Sequence, residues 1–271
     1  MTKSLLSSDR RLFFAVMLQT KIANRIGIIT LDRPDKRNAF NASLVEMINT
    51  AVVDFNFNNE VRAILINANG PAFSAGADLA YLKQLRKNTL EENKQDSLLL
   101  AKMFSNIYNS PKLTFSAVNG YALAGGCGLA TVTDFCFATT ESNFGYTEVK
   151  IGFIPAIVLT FLARKISGSD MNKLLLTGEI INSEQAKQIG LVSDIYEKES
   201  FDQSVMDRIQ SVISSTSANS IAKTKELMRK VATMEMTPAL ELASIYNAES
   251  RASQDCIDGM DAFLNKEKKT W

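Results

Sequence analysis

The sequence predicts an α/β fold followed by a helical region, and three observations support this. Short runs rich in β-branched residues alternate with segments of helical periodicity over about the first 195 residues. From Phe201 to the C-terminus the pattern is mostly helical and lacks strand runs. No Pro/Ser-rich linker divides the chain. We therefore expect an N-terminal tail over residues 1–17, an α/β core over residues 18–200 and a helical region over residues 201–271.

The elements of the core follow from periodicity and flanking residues. The β-branched run Arg25–Asp32 predicts a strand, and residues 41–56 carry apolar side chains at helical spacing, with Asn41 or Ser43 as the N-cap. Further strands are predicted at Val61–Asn67, Leu113–Val118, Phe135–Ala138 and Gly190–Ile195. Further helices are predicted at Leu79–Arg86, Glu91–Ser110, Gly126–Val132, Ala156–Ser167, Met171–Leu176 and Ser183–Gln188, and a glycine-rich loop at Asn69–Asp78.

The N-terminal residues loosely imitate a signal peptide, because Lys3, Arg10 and Arg11 precede the apolar run Leu12–Leu18. No small-residue cleavage site follows this run. We therefore interpret the segment as a tail that runs into a first strand, with Met17 as an alternative start. No apolar run reaches the roughly 20 residues that a transmembrane helix needs.

Composition excludes several classes of function. The 271 residues include 30 basic and 29 acidic side chains, and a net charge of +1 gives no general basic field for nucleic acid or a membrane surface. The absence of histidine excludes a Ser-His-Asp triad, a Cys-His pair and His-ligated zinc. Cys127, Cys136 and Cys256 match no metal-binding spacing, so we expect no metal site. This cysteine usage favours a reducing, cytoplasmic compartment.

One stretch of the sequence carries the chemistry. The run Gly125-Gly126-Cys127-Gly128 places glycines at the start of an apolar helix. Backbone N–H groups there can approach a ligand closely and stabilise negative charge. A lone carboxylate, Glu148, follows and can move protons. The combination predicts chemistry on a carbonyl whose oxygen becomes negative in the transition state.

Five motifs in a fixed order carry a resemblance to a known family. They are DRPDKRNAFN, NGPAFSAGADL, AVNGYALAGGCGLA, FGYTEVKIGFIP and LLLTGEIINSEQAKQIGLVSDI. Together they closely resemble the crotonase superfamily of enoyl-CoA hydratases and isomerases, from about residue 18 to the C-terminus. The resemblance implies a spiral of ββα units with C-terminal helices that build a homotrimer or homohexamer. It also implies an acyl-CoA thioester as substrate, so that coenzyme A is part of the substrate and no separate cofactor is needed.

The resemblance further implies roles for individual residues. The thioester oxygen would lie between the backbone N–H groups of Ala77 and Gly125, which hold an enolate, and Glu148 would carry the proton. Contacts with coenzyme A are expected at the matching positions Lys36, Arg37, Ala75, Asp78, Leu79, Phe263 and Lys266. The last two of these would reach the coenzyme A of a neighbouring subunit.

Gly128 departs from the family pattern, because family hydratases generally carry a second catalytic glutamate at this position. Three interpretations remain open. In the first, the chain hydrates short or branched 2-enoyl-CoA thioesters and is closest in pattern to methylglutaconyl-CoA hydratases, with Gly128 making room for a bulkier acyl group. In the second, it is an isomerase that needs only Glu148. In the third, it binds acyl-CoA and catalyses little. We favour the hydratase because the local motifs match that branch best, whereas counting acids alone favours the isomerase.

Overall fold

Two β-sheets form the core of the computed structural model, which describes residues 17–271. The strands are β1 (Leu18–Ala23), β2 (Ile26–Leu31), β3 (Ala63–Ala68), β4 (Ala72–Ser74), β5 (Leu113–Val118), β6 (Tyr121–Leu123), β7 (Phe135–Thr139), β8 (Asn143–Gly145), β9 (Ile180–Asn182) and β10 (Asp194–Tyr196). The helices are α1 (Ala42–Phe57), α2 (Leu79–Leu85), α3 (Leu90–Tyr108), α4 (Gly125–Val132), α5 (Ala156–Leu162), α6 (Gly168–Thr177), α7 (Ser183–Gln188), α8 (Phe201–Ser215), α9 (Ala218–Val231), α10 (Met236–Arg251) and α11 (Gln254–Leu264). The predicted tail lies almost entirely outside the described residues.

The larger sheet has the strand order β1-β2-β3-β5-β7-β10 and is parallel except for the antiparallel pair of β1 and β2. The smaller sheet has the order β4-β6-β8-β9, and its first three strands are parallel. Helices connect the parallel strands, as such crossovers require. The predicted α/β core is therefore confirmed, and α8 to α11 confirm the helical region that follows it.

Strand β2 shows how the sequence buries the larger sheet on both faces. Ile26 and Ile28 pack in a cluster with α8, whereas Ile29 and Leu31 pack in the main cluster with α1. Successive side chains of a strand point to opposite faces, so the alternation is the one that a two-sided core needs. On the α1 side the predicted cap is confirmed, because the side chain of Asn41 accepts the N–H of Leu44 at 2.9 Å.

Two predicted boundaries need correction. The segment Asn69–Asp78 is not wholly a loop, because it contains β4, which is fully buried but too short to show a period of two. The helix predicted at Ala156–Ser167 ends at Leu162, and the N–H of Lys165 turns back to the carbonyl of Leu162 at 2.9 Å. The next helix then begins with Ser167 as its N-cap.

The strand predicted at Gly190–Ile195 is also wrong in its first half. Gly190 has a φ of +80°, and the N–H of Leu191 donates to the carbonyl of Ala186 at 2.8 Å. These residues therefore form the turn that ends α7, and the strand starts only at Asp194. Apolar residues that are buried in a turn gave the same pattern as a short strand.

The helical region divides into a covered part and an exposed part. Helix α8 buries its apolar face on the larger sheet. Helices α10 and α11 leave large apolar side chains exposed, for example Met236 at 73%, Leu240 at 60% and Phe263 at 82%. Helix α9 is attached to the core by an ion pair between Lys225 and Asp134. Within residues 17–271, no helix is both long enough and apolar enough to cross a membrane.

Candidate active site

Three neighbouring strands of the smaller sheet bring the motif residues to one edge. Strand β6 pairs with β4 on one side and with β8 on the other, and all three run parallel. Their carboxyl ends therefore meet, which is where open parallel sheets place ligands. Ala77 follows β4, Gly125 follows β6 and Glu148 follows β8, each within three residues of the strand end. The structure thus collects at one edge the three residues that the sequence singled out.

Gly76 lets the loop after β4 approach the loop after β6. It has a φ of +84°, and a Cβ at this position would lie 2.8 Å from the Cβ of Ala124 and 3.3 Å from the backbone nitrogen of Gly125. A side chain is excluded on both grounds. The backbone of Phe40 fixes the loop on either side of Ala77, because its N–H donates to Gly76 O at 2.6 Å and its carbonyl accepts the next N–H after Ala77 at 2.8 Å.

Ala124 is the strained residue of the site. It precedes α4 with φ 49° and ψ −126°, a conformation that residues with a Cβ rarely adopt and that costs about 1–3 kcal/mol. Its N–H donates to the carbonyl of Gly145 at 2.8 Å, which anchors it to the end of β8. Since ψ of Ala124 sets the plane of the next peptide, this strain determines the direction of the Gly125 N–H.

The N–H groups of Ala77 and Gly125 form a pair of unused donors. In the part of the chain that the structure describes, neither makes a hydrogen bond to a protein acceptor. Two such donors on touching loops can hold an oxygen that gains negative charge. The N-terminus of α4 adds its partial positive charge at Gly125. Their use as oxyanion donors stays a prediction, and the geometry is consistent with it.

Glu148 is a buried carboxylate with one unpaired oxygen atom among the described residues. It is 9% exposed, and among the described residues its Oε2 atom has no hydrogen-bond partner. It opens a short 3₁₀ turn, Glu148–Ile151, which ends at Gly152 with a φ of +75°. Burial raises the pKa of Glu148 above its ordinary value, because the ionised form loses solvation. Such a carboxyl is suited to accept and return a proton.

The interpretation that Gly128 makes room for an acyl group is wrong. A Cβ on Gly128 would lie 2.3 Å from Cγ1 of Val158 and 3.3 Å from Cζ of Phe104. Both neighbours are buried. Gly128 therefore permits close packing of α4 against α5 and α3, and apolar side chains fill the position where a second glutamate was expected.

The whole described chain, and not only the site, is similar to known proteins. Residues 21–271 match the family model described as enoyl-CoA hydratase/isomerase. The chain belongs to the enoyl-CoA hydratase/isomerase family. A provisionally named enoyl-CoA hydratase of Thermus thermophilus is 35% identical over 244 residues, which cover 89% of this chain and 95% of that protein. A crotonyl-CoA hydratase of Syntrophomonas wolfei is 31% identical over 246 residues, which cover 90% and 93%.

A solved structure supports the same conclusion for the fold. An enoyl-CoA hydratase from Shewanella pealeana superposes with a TM-score of 0.90 and 27% identity, and the match covers 98% of this chain and 100% of that one. The crotonase fold that the motifs implied is therefore confirmed, as is the relationship to enoyl-CoA hydratases. The resemblance to the methylglutaconyl-CoA branch remains a prediction.

Lys36 and Arg37, which the family pattern assigns to coenzyme A, lie beside the loop that follows β4. They occupy an exposed turn, and the carbonyl of Arg37 accepts the N–H of Ala75 at 2.9 Å. This contact joins the turn to the loop that ends at Ala77. Two cations at this point suit the phosphates of coenzyme A, and the contact itself stays a prediction.

Asp78 and Leu79, predicted to contact coenzyme A, begin helix α2. The Asp78 carboxylate caps the helix by accepting the N–H groups of Ala80 and Tyr81, and it pairs with Arg33 at 3.1 Å. Partial burial alone would raise the pKa of Asp78, but these hydrogen bonds outweigh it and the pKa is lowered. The carboxylate is thus occupied by structural contacts, whereas the Leu79 side chain is 73% exposed and free to meet a ligand.

Phe263 and Lys266 are not brought to this site within one chain. Both belong to α11 and its end, where Asp255 is bonded to Ser217 and the backbone N–H of Trp271 donates to Ser214. These described contacts direct α11 toward α8 and α9 instead of toward the edge of the smaller sheet. The expected contact of the two residues with the coenzyme A of a neighbouring subunit stays a prediction.

Sequence reasoning missed three residues that shape the site. They are Ala124, which aims a donor, Val158, which fills the space beside Gly128, and Lys165, which binds the end of α4. Ala124 adjoins a glycine run, and that position gave a weak signal of unusual backbone. Val158 and Lys165 gave none, because their contacts cross about thirty residues of sequence.

Proposed function

We propose that the chain hydrates the 2,3-double bond of a short or branched 2-enoyl-CoA thioester. The proposal rests on the position of Glu148, which is buried with its Oε2 atom unpaired among the described residues and lies at the same sheet edge as the unused N–H groups of Ala77 and Gly125. A conjugated thioester needs these two functions together, a donor pair for its oxygen and one group that handles protons.

The proposed reaction uses each group once. The thioester oxygen accepts hydrogen bonds from Ala77 and Gly125, which draws electron density from the double bond. Glu148 takes a proton from water as the water oxygen bonds to C3, and the electron pair moves to the thioester oxygen as an enolate. The protonated carboxyl of Glu148 then returns the proton to C2 and the carbonyl re-forms. One water is added in total, and the carboxylate is regenerated.

The acyl group is the least constrained part of the proposal. The preference for a short or branched chain rests on the match of AGGCGLA and TEVKIGFIPA to hydratases of branched-chain acyl-CoA breakdown. The relatives named above include a crotonyl-CoA hydratase, whose name denotes a short substrate. Exposed apolar side chains near Glu148, namely Ile151, Phe153 and Ile154, are candidates for the acyl-contacting surface.

Isomerisation of a 3-enoyl thioester is the second candidate, and the packing of Gly128 favours it. With Val158 and Phe104 beside Gly128, no second carboxylate can enter from that position to orient water. A single base suffices to remove a proton from C2 and return it to C4. The family to which the chain belongs includes both activities.

One experiment separates these functions. Matched 2-enoyl and 3-enoyl thioesters of four to six carbons are incubated with the wild type and with Glu148→Gln, and mass spectrometry records the gain of 18 Da. A gain with the 2-enoyl series that Glu148→Gln abolishes supports hydration. Migration of the 3-enoyl double bond, seen as a rise of the conjugated enoyl-thioester absorbance without a mass change, supports isomerisation. Binding of both series without turnover contradicts both and identifies an acyl-CoA-binding protein.

We also infer that the exposed face of α10 and α11 is a subunit interface of a homotrimer or homohexamer. Several large apolar side chains share this region, among them Met236, Leu240, Ile245, Phe263 and Leu264. Large exposed apolar side chains concentrated in one region are typical of an interface. Light scattering after size exclusion should give three or six times 29.9 kDa, and a monomeric mass at micromolar concentration would contradict the assembly.

A further inference from the structure

A lysine holds the end of helix α4 that lies opposite Gly125. The Nζ atom of Lys165 donates to the carbonyl oxygens of Thr131 and Thr133, each at 2.9 Å. Thr131 lies in the last turn of α4 and Thr133 is its C-cap. The last carbonyl groups of a helix have no partner within it, so two of them are here satisfied by one cation.

The charge of Lys165 is balanced in an unusual way. Among residues 17–271, no carboxylate forms an ion pair with it, and the nearby Asp134 is already bonded by Lys225 and Thr114. Burial lowers the pKa of Lys165, which Cys136 and Asp134 partly oppose. A buried ammonium group is costly unless it has a partner. The direct partner of the Lys165 ammonium group is the negative end of α4.

Lys165 also connects the two halves of the site. It follows α5, the helix that begins shortly after Glu148. Near its start, α5 contacts the middle of α4, where Val158 meets Gly128. Just beyond its end, Lys165 binds the last carbonyl groups of α4. The segment from Glu148 to Lys165 therefore contacts α4 at two separate points, through Val158 and through Lys165. Helix α4 begins with Gly125, the proposed oxyanion donor.

We propose that Lys165 is a positioning residue for the oxyanion site, acting through α4. The helix has eight residues and is about 12 Å long. A cation at its C-terminus offsets the negative end of the helix dipole. The electrostatic potential at the positive end, at Gly125, is therefore more positive. An enolate oxygen at that end is then held more tightly. The inference rests on the proposed function, because it needs an oxyanion at the N-terminus of α4.

The kinetic test compares Lys165→Met with Lys165→Arg. Methionine keeps most of the apolar stem without the charge, so kcat should fall about five- to tenfold while KM changes less than about twofold. Arginine keeps the charge and donors, so it should recover most of kcat. A folded Lys165→Met enzyme with wild-type kcat overturns the proposal, as does an equal loss of kcat in both variants.

A spectroscopic test does not depend on turnover. Butanoyl-CoA labelled with ¹³C at the thioester carbonyl is bound to each protein, and the carbonyl stretch is recorded by infrared difference spectroscopy. Hydrogen bonds from Ala77 and Gly125 should lower the stretch in the wild type, and Lys165→Met should show a smaller lowering. An equal lowering in both proteins overturns the proposed role of Lys165 but leaves the oxyanion assignment intact. If the wild type shows no lowering, the oxyanion assignment in the proposed function fails first.

Lys112 provides the matched control. Its Nζ atom donates to the carbonyl oxygens of Phe55 and Asn58 at the end of α1, the same arrangement on a different helix. Lys112→Met should lower thermal stability but leave kcat and the carbonyl stretch unchanged. If Lys165→Met does not fold, Lys165→Gln is compared with Lys165→Arg, since both keep donors and differ in charge. Equal carbonyl stretches in those two variants then count against the proposal.

Discussion

The proposed oxyanion half of the active site is made of backbone, whereas the proton-transfer half is a single side chain. Ala77 and Gly125 contribute N–H groups whose positions follow from strand pairing, from Gly76 and from the strained Ala124. Glu148 contributes a carboxyl group that its surroundings do not bind at Oε2. The first half is fixed by many contacts of the fold. The second is free to titrate and to move a proton.

This difference separates stability from chemistry. A substitution in the backbone half also disturbs the packing of the loops after β4 and β6, so stability and activity should fall together. Damage to the side-chain half removes a buried and incompletely solvated charge, so activity should fall without a loss of stability. Variants of each half test whether the two are as distinct as their construction suggests.

The largest expected effect comes from Glu148→Gln. The amide keeps the shape of the side chain but cannot accept the proton, so kcat should fall by about 10²–10⁴-fold. The free energy of unfolding should not fall, because an unpaired buried acid is replaced by a neutral group. Steady-state kinetics and urea unfolding measure the two quantities, and butanoyl-CoA binding serves as the control for an intact site. Retention of full activity would remove Glu148 from the mechanism.

Gly128→Glu should have the next largest effect, and it should lower activity although it introduces a second acid. A second acid at this position would raise hydration if space were available, but its Cβ would lie 2.3 Å from Val158. Overpacking of this kind costs about 1–3 kcal/mol, and burial of a new charge adds to it. We expect a lower melting temperature and lower activity than in the wild type.

Two further variants isolate the clash. Gly128→Glu combined with Val158→Ala should recover part of the stability, because the nearest obstructing atom, Cγ1 of Val158, is gone. Gly168→Ala is the matched glycine control, since a Cβ there meets nothing within 4 Å, and its stability should be unchanged. If Gly128→Glu alone were as stable as the wild type, the packing around α4 would be looser than the structure indicates.

The contrast between Glu148 and Val158 also shows what the sequence could predict. Ala77, Gly125 and Glu148 were singled out from motifs that resemble the family, and in the structure each follows one of three neighbouring short strands that the sequence did not reveal. Periodicity found strands β2, β3, β5 and β7 and most helices of the core, whereas the three-residue strands β4, β6, β8 and β9 were not predicted. The environment of Gly128 was not predicted either, since it depends on a side chain thirty residues later whose rotamer and helix position appear in no local pattern.

Gly76→Ala tests the backbone half and should have an intermediate effect. Its φ of +84° and the short approach to Ala124 force the loop to move, at about 1–3 kcal/mol. Because Ala77 moves with it, kcat should fall together with the free energy of unfolding. Gly190→Ala is the control, because its φ is +80° and its nearest neighbour is 4.0 Å away. It should lose stability alone, and an equal loss of kcat in both variants would contradict the assignment of Ala77.

The smallest effect is a pH dependence that belongs to the side-chain half. Burial raises the pKa of Glu148 above its ordinary value of 4.5. Between the ordinary and the raised value, the folded protein keeps a proton that the unfolded chain has released, so Glu148 makes the free energy of unfolding decrease as pH rises through this window. The base must be ionised to accept a proton from water, so kcat should increase over the same window.

Glu148→Gln should remove the dependence of the free energy of unfolding on pH in this window, which unfolding curves of the variant and the wild type, measured pairwise at each pH, would reveal. Gly76→Ala should lower both kcat and the free energy of unfolding but leave their dependence on pH unchanged, because the backbone donors do not titrate. A Gly76→Ala enzyme with a shifted pH midpoint would show that the two halves are coupled through the environment of Glu148.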